Sequence, residues 1–246
     1  GLLATEGMFQ PLPQEILDRV PERFRSPDGL WVGVTGRARV LAYSTERVDE
    51  ATLPTSVLDM VKPEWKGRVG WAPENASFQA FITALRVLKG DDAARAWLEG
   101  MIANEPVNFG DSNAAVVRAI GEGEIDAGLV NHYYLHAIKL EEGPDFPVAN
   151  HFFAPDDPGS LINVAGIGLL AAAPEKAFAL EVIAGLVSEQ GQTYFLEATG
   201  EYPLIPGLPA PEGLKQIAET RGPEIDLGSL ADLQGTLDML AEVGLL

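Results

Sequence analysis

The chain of 246 residues contains no cysteine, which excludes disulfides, thiolate nucleophiles and sulfur metal sites. Cations are scarce. Lys and Arg total 17 against 36 Asp and Glu, for a net charge of −19. This argues against nucleic acid as a partner, because phosphate binding needs clustered Lys and Arg. It also argues against an anionic membrane surface. The acidic field attracts cations, although the same charge serves solubility. Also missing is an apolar run approaching the ~18 residues of a membrane-spanning helix. The longest candidate, INVAGIGLLAAAP (162–174), is short and glycine-interrupted. No signal-peptide pattern opens the sequence. It holds neither a GxSxG elbow nor a P-loop. With 46% hydrophobic residues it can bury a normal core, and its length suits one large domain or two small lobes.

What is present alternates between strand and helix patterns. GLWVGVTG (29–36) and RVLAYST (39–45) read as two strands separated by a turn, and RVGWA (68–72) as a third. Apolar residues at helical spacing predict a helix from Ser77 to Lys89. Gly90 stops it, and Asp91 or Asp92 is expected to cap the next helix. PVNFG (106–110) is extended, Ser112 or Asn113 caps another helix, and IDAGLVN (125–131) is a strand. The proline- and glycine-rich residues 143–160 read as a loop. INVAGIGLLA then forms a strand, residues 174–200 carry long helical periodicity, and the C-terminal residues from Ser229 form an amphipathic helix. These βα units predict an α/β fold with a mainly parallel sheet.

Open α/β sheets bind ligands beyond the carboxyl ends of their strands, near helix N-termini. In WAPENASFQAF and in FGDSNAAVVRAI a helix begins after such a strand end. Each offers unpaired N–H donors and a positive dipole end, which suit an anion. Asn75, Ser77, Ser112 and Asn113 can equally serve only as helix caps. A third strand end, IDAGLV, points toward Asn131, His132, Tyr133 and Tyr134. Two adjacent phenols on a continuing strand face opposite ways, but they converge if the backbone leaves the strand there. Most tyrosine pairs are simply packing. A phenol has a free pKa near 10, so a strongly polarising cation must displace its proton at neutral pH. Fe(III) is such a cation, whereas calcium and magnesium favour carboxylates.

The stretches GLWVGVTGRARVLAYST, VKPEWKGRVGWAPENASFQAF, GEIDAGLVNHYYLH and GQTYFLEATGEYPLIPG, in this order, resemble the periplasmic ferric-iron-binding proteins of bacterial ABC transporters. These are type II periplasmic binding proteins. The resemblance implies a two-lobed α/β fold, each lobe a mainly parallel sheet flanked by helices. Residues 1–37 and 164–214 would form the first lobe, and 38–163 and 215–246 the second. Hinges are expected near GRARV and Ile162–Ala165. It implies that Tyr133 and Tyr134 coordinate Fe(III) together with a synergistic carbonate or phosphate. The anion contacts fall on Asn75, Ala76, Ser77, Asn113 and Asn131, with Arg37 as its guanidinium partner and Arg39 the second choice. It also implies an extracytoplasmic location, periplasmic or lipid-anchored, an ABC permease as partner, a monomeric state when intact, and no chemical turnover. In some family members a further tyrosine ligand stands where this chain has Phe78, which carries no ligand atom. Family members also begin with a strand–helix–strand–helix unit, so the resemblance implies a first lobe incomplete at its N-terminus.

Three rivals stand beside it. A receptor for another solute, such as a phosphonate or a polyamine, suits the same fold. His132 and His136 lie four apart, as a helical zinc pair would, but the intervening YYL is not the Exx of an H-E-x-x-H zinc enzyme. The acidic pairs Glu141–Glu142 and Asp156–Asp157 serve acid–base catalysis only if they oppose each other in a pocket.

Overall fold

A computed structural model describes residues 2–246. In chain order, α1 (Leu2–Thr5), β1 (Phe9–Gln10) and α2 (Gln14–Leu17) lead into β2 (Val32–Ser44). Then β3 (Val69–Trp71) precedes α3 (Ala76–Lys89) and α4 (Asp91–Ala103), and β4 (Val107–Asn108) precedes α5 (Asn113–Glu122). Strand β5 (Ala127–Asn131) runs into α6 (Tyr133–Glu142), followed by β6 (Val148–His151), β7 (Ile162–Ile167) and β8 (Leu169–Leu170). Last come α7 (Lys176–Leu186), α8 (Glu189–Thr199), β9 (Tyr202–Pro203) and α9 (Leu233–Glu242). The chain folds as two compact units. Unit 1 holds Gly1–Arg37, Asn163–Glu219 and Asp226–Ala231; unit 2 holds Ala38–Ile162, Thr220–Ile225 and Asp232–Leu246.

Unit 2 is built on the strand order β4-β3-β5-β2-β6. The sheet is mixed: β3 is parallel to β4 and β5, while β2 runs antiparallel to β5 and β6. Side chains alternate across it as a pleated strand requires. Leu41, Tyr43 and Leu129 enter one core with Trp71, Phe78, Phe81 and Trp97. Val40, Ala42 and Val130 enter the other with Val116, Ile120, Leu135 and Ile138. In the first core the rings of Trp71, Phe78, Phe81 and Trp97 meet edge to face in sequence, with centroids 5.5, 6.1 and 5.3 Å apart, the arrangement that aromatic quadrupoles favour. Phe78 therefore belongs to the core, anchoring the first turn of α3.

The loop ends follow local chemistry. Asn75 caps α3 and Ser112 caps α5. Gly90, at φ +89°, ends α3 and directly precedes α4. Neither Asp91 nor Asp92 is the cap; both lie in the first turn of α4, where carboxylates favour the positive end of the helix dipole.

In unit 1 the first half of β2 pairs with β9, antiparallel, through Thr35 opposite Pro203 and Gly36 opposite Tyr202. A two-stranded antiparallel sheet joins β1 to β8. Gln192 of α8 is completely buried and fully used. Its Nε2 donates to the carbonyls of Val34 and Leu186, and its Oε1 accepts from Leu204 N at 2.7 Å. One amide thus ties α8 to β2, to the end of α7 and to the residue that follows β9.

Three expectations need correction. Residues 29–45 hold one strand, β2, where two strands and a turn were expected. Gly36 does not make a turn; a Cβ there would lie 2.9 Å from Ile217 Cδ1 and 3.2 Å from Tyr202 Cβ, so glycine is needed for close packing. The segment 143–160 is not all loop, since it contains β6, paired with β2. The helical stretch 174–200 is two helices, divided where Ser188 caps α8.

Candidate metal and anion site

The backbone leaves the strand where the phenols begin. Strand β5 ends at Asn131, His132 turns into helical conformation, and α6 starts at Tyr133. Tyr133 and Tyr134, both half-buried, stack with centroids 4.5 Å apart. The junction is held by His132, which is 1% exposed. Its backbone N donates to the Ala38 carbonyl at 3.0 Å, and the Ala38 N–H donates to its Nδ1 at 3.1 Å. An accepting Nδ1 puts the ring proton on Nε2. The His132 carbonyl accepts from Asn150 Nδ2 at 3.0 Å, and the Tyr133 ring meets the imidazole edge to face at 5.8 Å. His132 is thereby a scaffold for the tyrosines.

Around the start of α3, unit 2 gathers a polar cluster. Asn75 Oδ1 accepts from Ser77 N at 2.9 Å and from Ser77 Oγ at 2.7 Å. Asn75 Nδ2 donates to the Asp111 carbonyl at 2.6 Å, tying this loop to the one that starts α5. Ser77 Oγ also accepts from Asn113 Nδ2 at 3.0 Å and from Arg39 Nη1 at 3.1 Å. A hydroxyl has one proton and two lone pairs, so that of Ser77 is saturated. Asn113 is 1% exposed and its Oδ1 has no partner. Ala76 is the exposed first residue of α3. Asn131, 5% exposed, lies opposite Arg39 in the β5–β2 register.

Arg39 is 2% exposed. Besides Ser77, it donates from Nη2 to the Leu129 carbonyl at 2.8 Å, and its Nε has no partner. The guanidinium carbon lies 5.7 and 5.6 Å from the ring centroids of Phe78 and Phe81. Burial pushes its pKa down to about 9, against the opposing influence of the Tyr134 and Tyr133 phenols. Arg37 belongs instead to unit 1, where its Nε donates to Glu201 Oε2 at 3.1 Å. Thr35 Oγ1 donates to the same oxygen. Sequence reasoning ranked Arg39 behind Arg37 and passed over Glu201. The two arginines stand two residues apart on one strand, and nothing local to the sequence distinguishes them.

The structure brings Asn75, Ser77, Asn113 and Arg39 into one hydrogen-bonded cluster and places Asn131, Tyr133 and Tyr134 at the adjoining strand–helix junction of the same unit. Among the described residues no group of three or more His, Asp or Glu is placed to hold a metal ion. Glu141, Glu142 and Asp157 have structural partners. Glu141 and Glu142 both pair with Arg118. Asp157 Oδ1 accepts from Val57 N and Gly159 N at 3.1 and 2.8 Å. His151 Nε2 sits 2.9 Å from the Pro54 carbonyl.

A family model described as bacterial extracellular solute-binding protein matches residues 1–221. The chain belongs to this family. It is 32% identical over 247 residues to the Fe(3+)-binding periplasmic protein of Serratia marcescens, spanning all of this chain and 72% of that one. Iron-bound HitA from Pseudomonas aeruginosa superposes with a TM-score of 0.91 at 33% identity, over 99% of this chain and 78% of that one. A Trichodesmium IdiA (FutA) structure in complex with iron and citrate gives a TM-score of 0.84 at 26% identity, over 99% and 79%. The α/β architecture is thus that of the solute-binding proteins. Among the described residues no helix of this family member is long and apolar enough to cross a membrane.

Proposed function

We infer that this protein is the extracytoplasmic receptor of an iron uptake system, which captures Fe(III) and delivers it to an ABC permease without chemical turnover. The observation that carries the reading is the stacked pair Tyr133–Tyr134, placed at the end of β5 in the same unit as the Ser77 cluster. The names of the relatives, all three of them iron proteins, support the same cargo.

In this reading Fe(III) displaces both phenolic protons, and the two phenolates hold it. A small oxyanion, carbonate or phosphate, completes the coordination. Helix α3 offers that anion the positive end of its dipole at Asn75, Ala76 and Ser77, with the amides of Asn113 and Asn131 beside it. Arg37 is retained as the anion's guanidinium contact, oriented by Glu201. Units 1 and 2 act as the two lobes of the receptor.

The test is a visible-absorption titration of the protein with ferric citrate in bicarbonate buffer. Phenolate bound to Fe(III) gives a broad charge-transfer band, expected to saturate at one equivalent. A chain that folds, binds a phosphonate or a polyamine, and develops no band would replace the iron reading with another solute.

A further inference from the structure

Residues 220–225 belong to unit 2, whereas the chain on either side, Asn163–Glu219 and Asp226–Ala231, belongs to unit 1. This short strap is seated on unit 2 at two points. The Asp156 N–H donates to the Arg221 carbonyl at 2.9 Å. Gly222 lies against the helical turn Pro158–Ser160, where a Cβ would stand 2.5 Å from the Ser160 carbonyl oxygen and 3.2 Å from Ile162 Cγ1. The first contact is strained. Among the described residues, only Glu105, Asp156 and Arg221 combine a side chain with a positive φ. Asp156 stands at +63° and Arg221 at +45°, so one hydrogen bond joins two left-handed residues. That backbone is costly for any residue with a Cβ, and it collects at clamps and switch segments. From the seat a short backbone route leads to the phenols. Leu161, the residue after Ser160, accepts at its carbonyl from Arg39 N at 2.8 Å. Ala38, the preceding residue of β2, is latched to His132, and Tyr133 follows His132.

We propose that residues 220–225 are a weakly held strap, and that its unseating is the step through which the loaded receptor lets its metal go. This rests on the Fe(III) reading above. With the strap seated, Ser160, Leu161, Arg39, Ala38 and His132 stay in register and both phenolates hold the ion. With the strap lifted, Ser160 and Ile162 lose the packing that keeps the Leu161 carbonyl on Arg39 N, and the tyrosine junction loosens with it. The strain at Asp156 and Arg221 sets how often the strap lifts.

The experiment compares the full chain with Arg221→Gly, which relieves the strain and keeps the carbonyl, and with Gly222→Ala, whose methyl collides with the Ser160 carbonyl. Two rates are read in each. One is hydrogen exchange of the Asp156 amide, which proceeds when its bond to Arg221 breaks, in the iron-free and the loaded chain. The other is loss of the charge-transfer band from the loaded chain in excess EDTA. Arg221→Gly is expected to slow both at least about threefold. Gly222→Ala is expected to speed both about tenfold or more. The two rates must move together, because release passes through the unseated strap. Exchange that shifts in the variants while release keeps the wild-type rate overturns the proposal. So does exchange that neither variant changes, since the strap is then not a strained latch. If Gly222→Ala fails to fold, Arg221→Gly decides by the same two rates. A wild-type chain without the band removes the Fe(III) reading and the release step with it. A wild-type band with unaltered release in the variants removes only the role of the strap.

Discussion

The rings of Tyr133 and Tyr134 stack 29° from parallel, although consecutive residues of a helix point in different directions. They meet because they are the first two residues of α6 and no preceding helical turn constrains them. His132, latched by ring and backbone to Ala38, fixes where that turn begins. The backbone change from strand to helix is thus what turns two adjacent phenols into a possible ligand pair.

Replacing both by phenylalanine keeps the stack and removes the two oxygens. The double variant Tyr133→Phe/Tyr134→Phe is expected to lose the iron band altogether while its unfolding free energy changes by no more than about 1 kcal/mol, since both side chains are only half-buried. Visible titration and urea denaturation on one preparation check both halves. Unchanged iron affinity in a folded double variant would sink the site assignment.

Ser77→Ala tests whether the polar cluster is one connected unit. The hydroxyl serves Asn75, Asn113 and Arg39 at once. Its removal leaves the Arg39 Nη1 and Asn113 Nδ2 donors unpaired, each in a residue no more than 2% exposed. Destabilisation of about 1–3 kcal/mol is expected, the cost of orphaned buried donors, measured by denaturant unfolding. A loss below a few tenths would mean the cluster rearranges freely around the missing hydroxyl.

Parts of this arrangement were legible in the sequence and parts were not, for physical reasons. The start of α3 could be read because its signals are local: a strand end, a polar turn, Asn75 as cap and helical apolar spacing. The end of β5 was legible in the same way. The continuity of β2 was not, because Gly36 and Arg37 look like turn residues. The need for glycine there comes from Ile217 and Tyr202, distant in the chain. Strand β6 was hidden among prolines and glycines, and only its pairing with β2 makes it a strand. The burial of Arg39 was not legible at all. An arginine on a strand ordinarily faces water, and its burial follows from Ser77, Phe78 and Phe81 on another element.

Gly128, the second residue of β5, is expected to tolerate no side chain. A Cβ there would stand 2.2 Å from Val116 Cγ1 and 3.2 Å from the Gly70 carbonyl, so α5 lies directly on the strand. Gly128→Ala is expected to cost about 1–3 kcal/mol through overpacking, read from urea unfolding. The displaced strand carries the tyrosine junction at its end, so iron affinity should fall as well. A stable alanine variant with full affinity would show that α5 can move away at little cost.

Acid sensitivity is expected to centre on Asp126, immediately before β5. Burial works to raise its carboxyl, but hydrogen bonds from Arg68 and Arg47 outweigh that and hold it below the ordinary carboxylate range. Arg47 Nε lies 2.9 Å from Oδ1 and Arg68 Nε 2.6 Å from Oδ2. Arg47 Nη2 also reaches the carbonyls of Ile120 and Ile125 at 2.6 and 2.7 Å, joining the end of α5 to the start of β5. A group with a depressed folded pKa binds fewer protons folded than unfolded. Its contribution is therefore complete above the unfolded value of about 3.9 and disappears as pH falls through the lower folded value. The thermal midpoints of wild type and Asp126→Asn should differ by a constant amount from pH 7 down to about 5 and converge below about 4. A gap that persists unchanged to pH 3 would mean that the asparagine loses packing or hydrogen bonds and that the charge of Asp126 contributes nothing to the acid limb.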